Sequence, residues 1–88
     1  MFFAVAKFVL DDQGQEDREI HALVKKIQAR FPVCVKTHER GFVVATLGER
    51  ETSVSKQLDE IAAFAESVGI GRVESEDVML DHIDNLSE

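Results

Sequence analysis

Two stretches of the chain are apolar at almost every position. Phe2 to Leu10 and Phe42 to Leu47 are built largely of Phe, Val, Ala and Leu. Each is followed by apolar residues at helical spacing, and then by a more polar, charged stretch. A run of this length and composition, bounded by turn residues, reads as a buried strand. In the first run Phe2, Ala4, Ala6, Phe8 and Leu10 alternate with Phe3, Val5, Lys7 and Val9, so both faces of the strand are largely apolar and the strand is expected at the centre of a sheet.

Asp11-Asp12-Gln13-Gly14 interrupts the first run. Asp12 is the candidate N-cap, its carboxylate accepting from free amides of the first helical turn. Ile20, Leu23, Val24, Ile27 and Phe31 then follow the stripe of an amphipathic helix. Acidic Glu16, Asp17 and Glu19 lie near its start and basic Lys25, Lys26 and Arg30 near its end, as the helix dipole favours. Pro32 stops it. Val33 to His38 reads as an edge strand, where a proline at the entrance is tolerated. Glu39-Arg40-Gly41 is expected to turn the chain into Phe42–Leu47 as a hairpin. A second helix is predicted from about Arg50 to Val68, with Val54, Leu58, Ile61, Ala65 and Val68 as its stripe, Ala62 beside them and Gly69 at its C′ position. Arg72 to Leu80 reads as a last, charged strand, and Asp81 to Glu88 as an acidic tail that is frayed or forms a short helix.

The order is βαββαβ, the split-βαβ or ferredoxin-like arrangement. The expected fold is a single α+β domain over residues 1–88. Its four-stranded antiparallel sheet has the order 4-1-3-2, with two helices on one face. That order centres the two most apolar strands. It leaves Lys36, His38, Glu74, Glu76 and Asp77 on the edges, where charge discourages further pairing. One face of the sheet is then left without a helix. If Ala4, Ala6, Phe8 and Leu10 lie under the helices with Val33, Val35, Val43, Ala45 and Leu47, the open face carries Phe3, Val5, Lys7, Val9, Phe42, Val44 and Thr46. These seven are the expected interface, with Cys34, Lys36 and His38 among or beside them. Contiguous apolar patches on small proteins are usually covered by something.

Charge narrows the partners. The net charge is −7, with about +1 over residues 1–48 and −8 over residues 49–88. Duplex DNA, held through Lys/Arg neutralisation of its phosphates, is not an expected partner, and RNA is disfavoured on the same ground. Cys34 is the only cysteine, so no internal disulfide forms. Met1-Phe2-Phe3-Ala4-Val5-Ala6 has no basic region ahead of it and Lys7 interrupts the apolar run, unlike a secretory signal. No stretch has the apolar length of a membrane span. The expectation is a cytoplasmic protein away from membranes.

Three stretches resemble the bacterial family called domain of unknown function 503. Met1 to Leu10 is similar to that family's opening strand, with Lys7 at the family's basic step. Asp12 through Phe31 fits its first helix without a gap, and Phe31-Pro32-Val33-Cys34-Val35 is similar to its phenylalanine-x-valine-x-valine strand. The chain departs from the family at Asp12-Gln13-Gly14-Gln15-Glu16-Asp17, which reverses the usual basic charge. It departs again at Thr37-His38-Glu39-Arg40-Gly41, where the hairpin is short. The resemblance implies a ferredoxin-like fold and no established activity.

Candidate chemistry is sparse. Cys34 and His38 share a strand face, but two ligands fall short of the four of a structural zinc site. They are also about 13 Å apart along the strand, too far for a thiol and its base. His21 falls outside the stripe of its helix, and His82 falls in the expected tail. Asp11/Asp12, Glu16/Asp17, Asp59/Glu60 and Glu76/Asp77 are paired carboxylates without the apolar neighbours that raise a pKa. Gly69-Ile70-Gly71 leaves a helix and does not enter one, so it lacks a phosphate cradle. Neither the acylphosphatase arginine loop nor a Cys-x-x-Cys is present. Arg40-Gly41-Phe42 is similar to the start of an RNA-recognition strand motif, and Phe3 and Phe42 would then be stacking aromatics on the open face.

No enzyme, cofactor or metal is expected from these residues. The expected function is a non-enzymatic module that self-associates, as a dimer, or binds a protein partner through the open face. The alternatives are an RNA- or ribosome-associated accessory domain and a small-molecule sensor with a site between subunits. Replacing Val5 or Phe42 by Asp is expected to give a folded monomer.

Overall fold

Alternation in the first apolar run is resolved by what covers each side of it. The structure, a computed structural model, describes residues 1–10, 17–68 and 73–82, without the side chains of Asp17, Glu76 and Asp77. The elements are β1 (Phe2–Leu10), α1 (Asp17–Arg30), β2 (Cys34–His38), β3 (Gly41–Gly48), α2 (Glu51–Ser67) and β4 (Val73–His82). The strands form one antiparallel sheet in the order β2-β3-β1-β4, which is the expected 4-1-3-2 read from the other edge. Both helices pack on the same face, giving the ferredoxin-like α+β sandwich.

The core lies between that face and the helices. From the sheet it takes Ala4, Ala6, Phe8, Leu10, Val35, Phe42, Val44 and Val73. From α1 come Ile20, Leu23, Val24 and Ile27, and from α2 Val54, Leu58, Ile61 and Ala65. The helix stripes are thus those that their spacing predicts, with Phe31, Ala62 and Val68 half-buried at the margins. Phe8 and Phe42 stack with ring centroids 5.1 Å apart. Phe31 meets Phe64 edge-on at 5.8 Å across the ends of the helices, and the Arg30 guanidinium lies 5.0 Å from the Phe64 ring. The Gln28 side chain donates to the Val35 carbonyl at 3.1 Å, tying α1 to the edge strand. The Glu66 carboxylate accepts from the Val73 amide at 3.2 Å, fastening the end of α2 to the start of β4.

Phe42, Val44 and Thr46 face the helices, with exposures of 0%, 0% and 5%, and not the open side where the sequence pattern puts them. The hairpin loop is the cause. His38 pairs with Gly41, so the loop is the two residues Glu39 and Arg40 and not the three that include Gly41. One residue fewer in the loop reverses every side chain of the following strand. Glu39 takes the positive φ, 51°, that the first position of such a loop requires. Gly41 then passes so close to β1 that a Cβ there would run into the Phe8 carbonyl oxygen. Thr46, buried and polar, is satisfied by donating from Oγ1 to Gln57 Oε1.

The last strand also runs further than its sequence pattern. Asp81 and His82 belong to β4, opposite Phe3 and Phe2, and so are not part of a frayed tail. The His82 ring sits 4.7 Å from that of Phe2. The candidate caps Asp12 and Gly69 and residues 83–88 lie outside the described residues.

Candidate interaction face

The side of the sheet away from the helices is built by register. Residues directly opposite one another in an antiparallel pair share a face. The pairings therefore place four rows across it, from β2 through β3 and β1 to β4. Leu47, Phe3 and Asp81 form the first, and Cys34, Ala45, Val5 and Met79 the second. Lys36, Val43 and Lys7 form the third, and His38, Gly41, Val9 and Glu74 the fourth. A register shift in β4 between the partners of Val5 and Lys7 marks a bulge. It keeps Met79 and Glu74 on the same face although four residues lie between them, an even number that would put them on opposite faces of a regular strand.

Two ends of this face differ in chemistry. The first two rows are mainly apolar. Leu47 is 63% exposed and Met79 49%. Phe3 and Val5 are half-buried between them. The last two rows gather charge. Glu39 reaches from the hairpin loop to within 3.5 Å of Lys7 Nζ and 3.9 Å of His38 Nε2. Charge also divides across the sheet, Lys36 on β2 against Glu74 and Asp81 on β4.

Beside the apolar end, a groove of about 670 Å³ opens where the chain leaves α1. Phe31, Pro32 and Val33 line it together with Phe3, Val5 and Leu47, and Cys34 and Gln28 are among the remaining lining residues. It continues the apolar end of the face around the β2 edge.

Of the seven expected interface residues, Phe3, Val5, Lys7 and Val9 lie on this face and Phe42, Val44 and Thr46 do not. Their places are taken by Val43, Ala45 and Leu47, with Met79 from β4. The hairpin loop length carried the signal for the first three. Met79 carried none, because the bulge that aims it is not written in the alternation. The candidate RNA-stacking trio is dispersed. Phe42 is packed on Phe8 in the core, Arg40 sits in the hairpin loop, and Phe3 lies at the opposite end of β1. Cys34 and His38 are both exposed on β2 with Lys36 between them. His21 is exposed on α1. Among the described residues no three His, Cys, Asp or Glu side chains gather as a metal site, and no helix is long and apolar enough to cross a membrane. No family model and no curated protein matches this chain.

Proposed function

We propose that this chain is a small, non-enzymatic cytoplasmic module that works by association, pairing with a second copy through its open sheet face. The observation that carries the reading is the apolar end of that face: Phe3, Val5, Ala45, Leu47 and Met79 lie together on the side of the sheet opposite both helices. Fully burying a large apolar side chain contributes about 1.5–3 kcal/mol. Association costs about 4–15 kcal/mol in lost freedom. A handful of such side chains therefore supports a complex in the micromolar range, about −8 kcal/mol.

Sedimentation equilibrium tests the reading. The wild type is expected to populate a dimer of twice 9.8 kDa at tens of micromolar protein. Leu47→Asp and Val5→Asp are expected to be folded monomers, because each buries an unpaired carboxylate at the contact. A wild type that stays monomeric at several hundred micromolar overturns it.

A further inference from the structure

The geometry points to a peptide-binding notch where β2 falls short of β3: an extended, uncharged, apolar segment of another protein adds there as a short strand, pairing main chain to main chain with Leu47. β3 runs to Gly48, but its ladder to β2 ends at the pair Cys34 and Ala45. The Leu10 amide donates to the Arg40 carbonyl at 3.2 Å, which sets the alternation of the ladder. Thr46 and Gly48 then turn their backbone groups to β1, and Val43 and Ala45 turn theirs to β2. The N–H and C=O of Leu47 therefore point past the end of β2. Pro32 stands next in register, and it has no N–H to give. The Val33 amide is turned back onto the Phe31 carbonyl at 2.9 Å. Among the described residues, neither backbone group of Leu47 has a partner.

The other open edges of the sheet are guarded. On the outer edge of β2 the Gln28 side chain occupies the Val35 carbonyl, between Cys34 and the basic Lys36. β4 is bulged and carries Glu74 and Asp81. Covering side chains, bulges and charge are how a sheet refuses an added strand. The notch has none of these. It opens on the groove of about 670 Å³, the size of a ligand site, and no described residue lining that groove is charged. A donor and an acceptor on one extended residue match another peptide backbone, and not a lipid tail or a flat ring. Phe31 and Val33, with Phe3 and Val5, offer apolar contacts to the side chains that flank the pairing. A Lys or Glu there would be buried without a partner. The pairing lies in the plane of the sheet and does not rest on self-association through its face.

Leu47→Pro tests the notch, because this amide lies outside the ladder to β1 and a proline with its nitrogen turned outward is tolerated on a strand edge. The probe is the uncharged peptide acetyl-Thr-Val-Leu-Val-Thr-amide, titrated calorimetrically. The wild type is expected to bind it. Leu47→Val, which keeps the N–H, is expected to bind within about threefold of wild type, and Leu47→Pro about tenfold or more weakly, the loss of one hydrogen bond. The same peptide N-methylated at its leucine is expected to lose a similar factor against the wild type, which reads the pairing even where the proline variant fails to fold. In the free chain the Leu47 amide is expected to exchange with solvent much faster than that of Ala45, and to slow when peptide is added. No binding up to about 1 mM peptide, or equal binding by the proline and valine variants, overturns the inference. A Leu47 amide already protected without peptide also overturns it: protection that grows with protein concentration assigns the notch to a second copy, and protection independent of concentration assigns it to the chain itself. A wild type that binds the peptide as a strict monomer overturns the proposed dimer and leaves the notch standing.

Discussion

Phe42 is wholly buried and lies against Phe8, so a substitution there is felt by the fold and not by an interface. Phe42→Ala is expected to cost about 3–5 kcal/mol. Phe42→Asp adds a buried, unpaired charge and is expected to leave the chain unfolded, where the sequence pattern alone led to a folded monomer. Leu47→Ala, at a position mostly in water, is expected to change monomer stability by less than about 0.5 kcal/mol. Urea denaturation of the pair reads out the facing of β3 directly, and equal effects at the two positions would contradict it. Gly41 is a second test at this scale. Its neighbour across the ladder is backbone, the Phe8 carbonyl, which cannot swing aside as a side chain does. Gly41→Ala is therefore expected to be destabilising despite the smallness of the change, and to weaken amide-exchange protection where β1 pairs with β3.

At the scale of elements, α2 is held by Val54, Leu58, Ile61 and Ala65 and receives no side-chain cap from Arg50 at its start. Its stability comes from packing, as is general for helices of this length. Ile61→Ala is expected to cost about 2–5 kcal/mol, read by chemical denaturation, while a change at exposed Ala63 is expected to be near neutral. Both helices and all four strands were legible because each buries a single well-marked stripe or a run bounded by Gly, Pro or Asp. The facing of β3 was not. Phe42, Val44 and Thr46 are no more apolar as a set than Val43, Ala45 and Leu47, so composition could not choose between them. The choice fell to the hairpin loop, where Gly41 reads as a turn residue and is in fact the first ladder residue of β3. The end of β4 was missed for a related reason. Asp81 and His82 look like tail residues, yet they pair with Phe3 and Phe2, whose long strand supplies a ladder for them. The facing of β1 was legible because Lys7 falls among Phe3, Val5 and Val9, which marks that side as the one away from the core.

For the whole molecule, the net charge of −7 sets how association responds to salt. Two copies stacked face to face have centres about 20 Å apart, and at that distance in water two charges of −7 repel by about 10 kcal/mol before screening. The Debye length is about 30 Å at 0.01 M salt and about 8 Å at 0.15 M, so most of that repulsion disappears between the two. Any opposite charges brought together at such a contact move the other way, but exposed pairs are worth only about 0.2–1 kcal/mol each. Repulsion dominates, and the wild-type dimer is expected to tighten as salt rises from 0.01 M to 0.15 M. Above that the apolar contact sets the affinity, and little further change is expected. A chain whose acidic half instead binds a basic partner gives the opposite slope, with the complex weakening steadily through the same range. Sedimentation equilibrium of the purified chain at four salt concentrations measures the sign. An affinity that falls with salt would show that opposite charges, and not the apolar rows of Phe3, Leu47, Val5 and Met79, hold the two copies together.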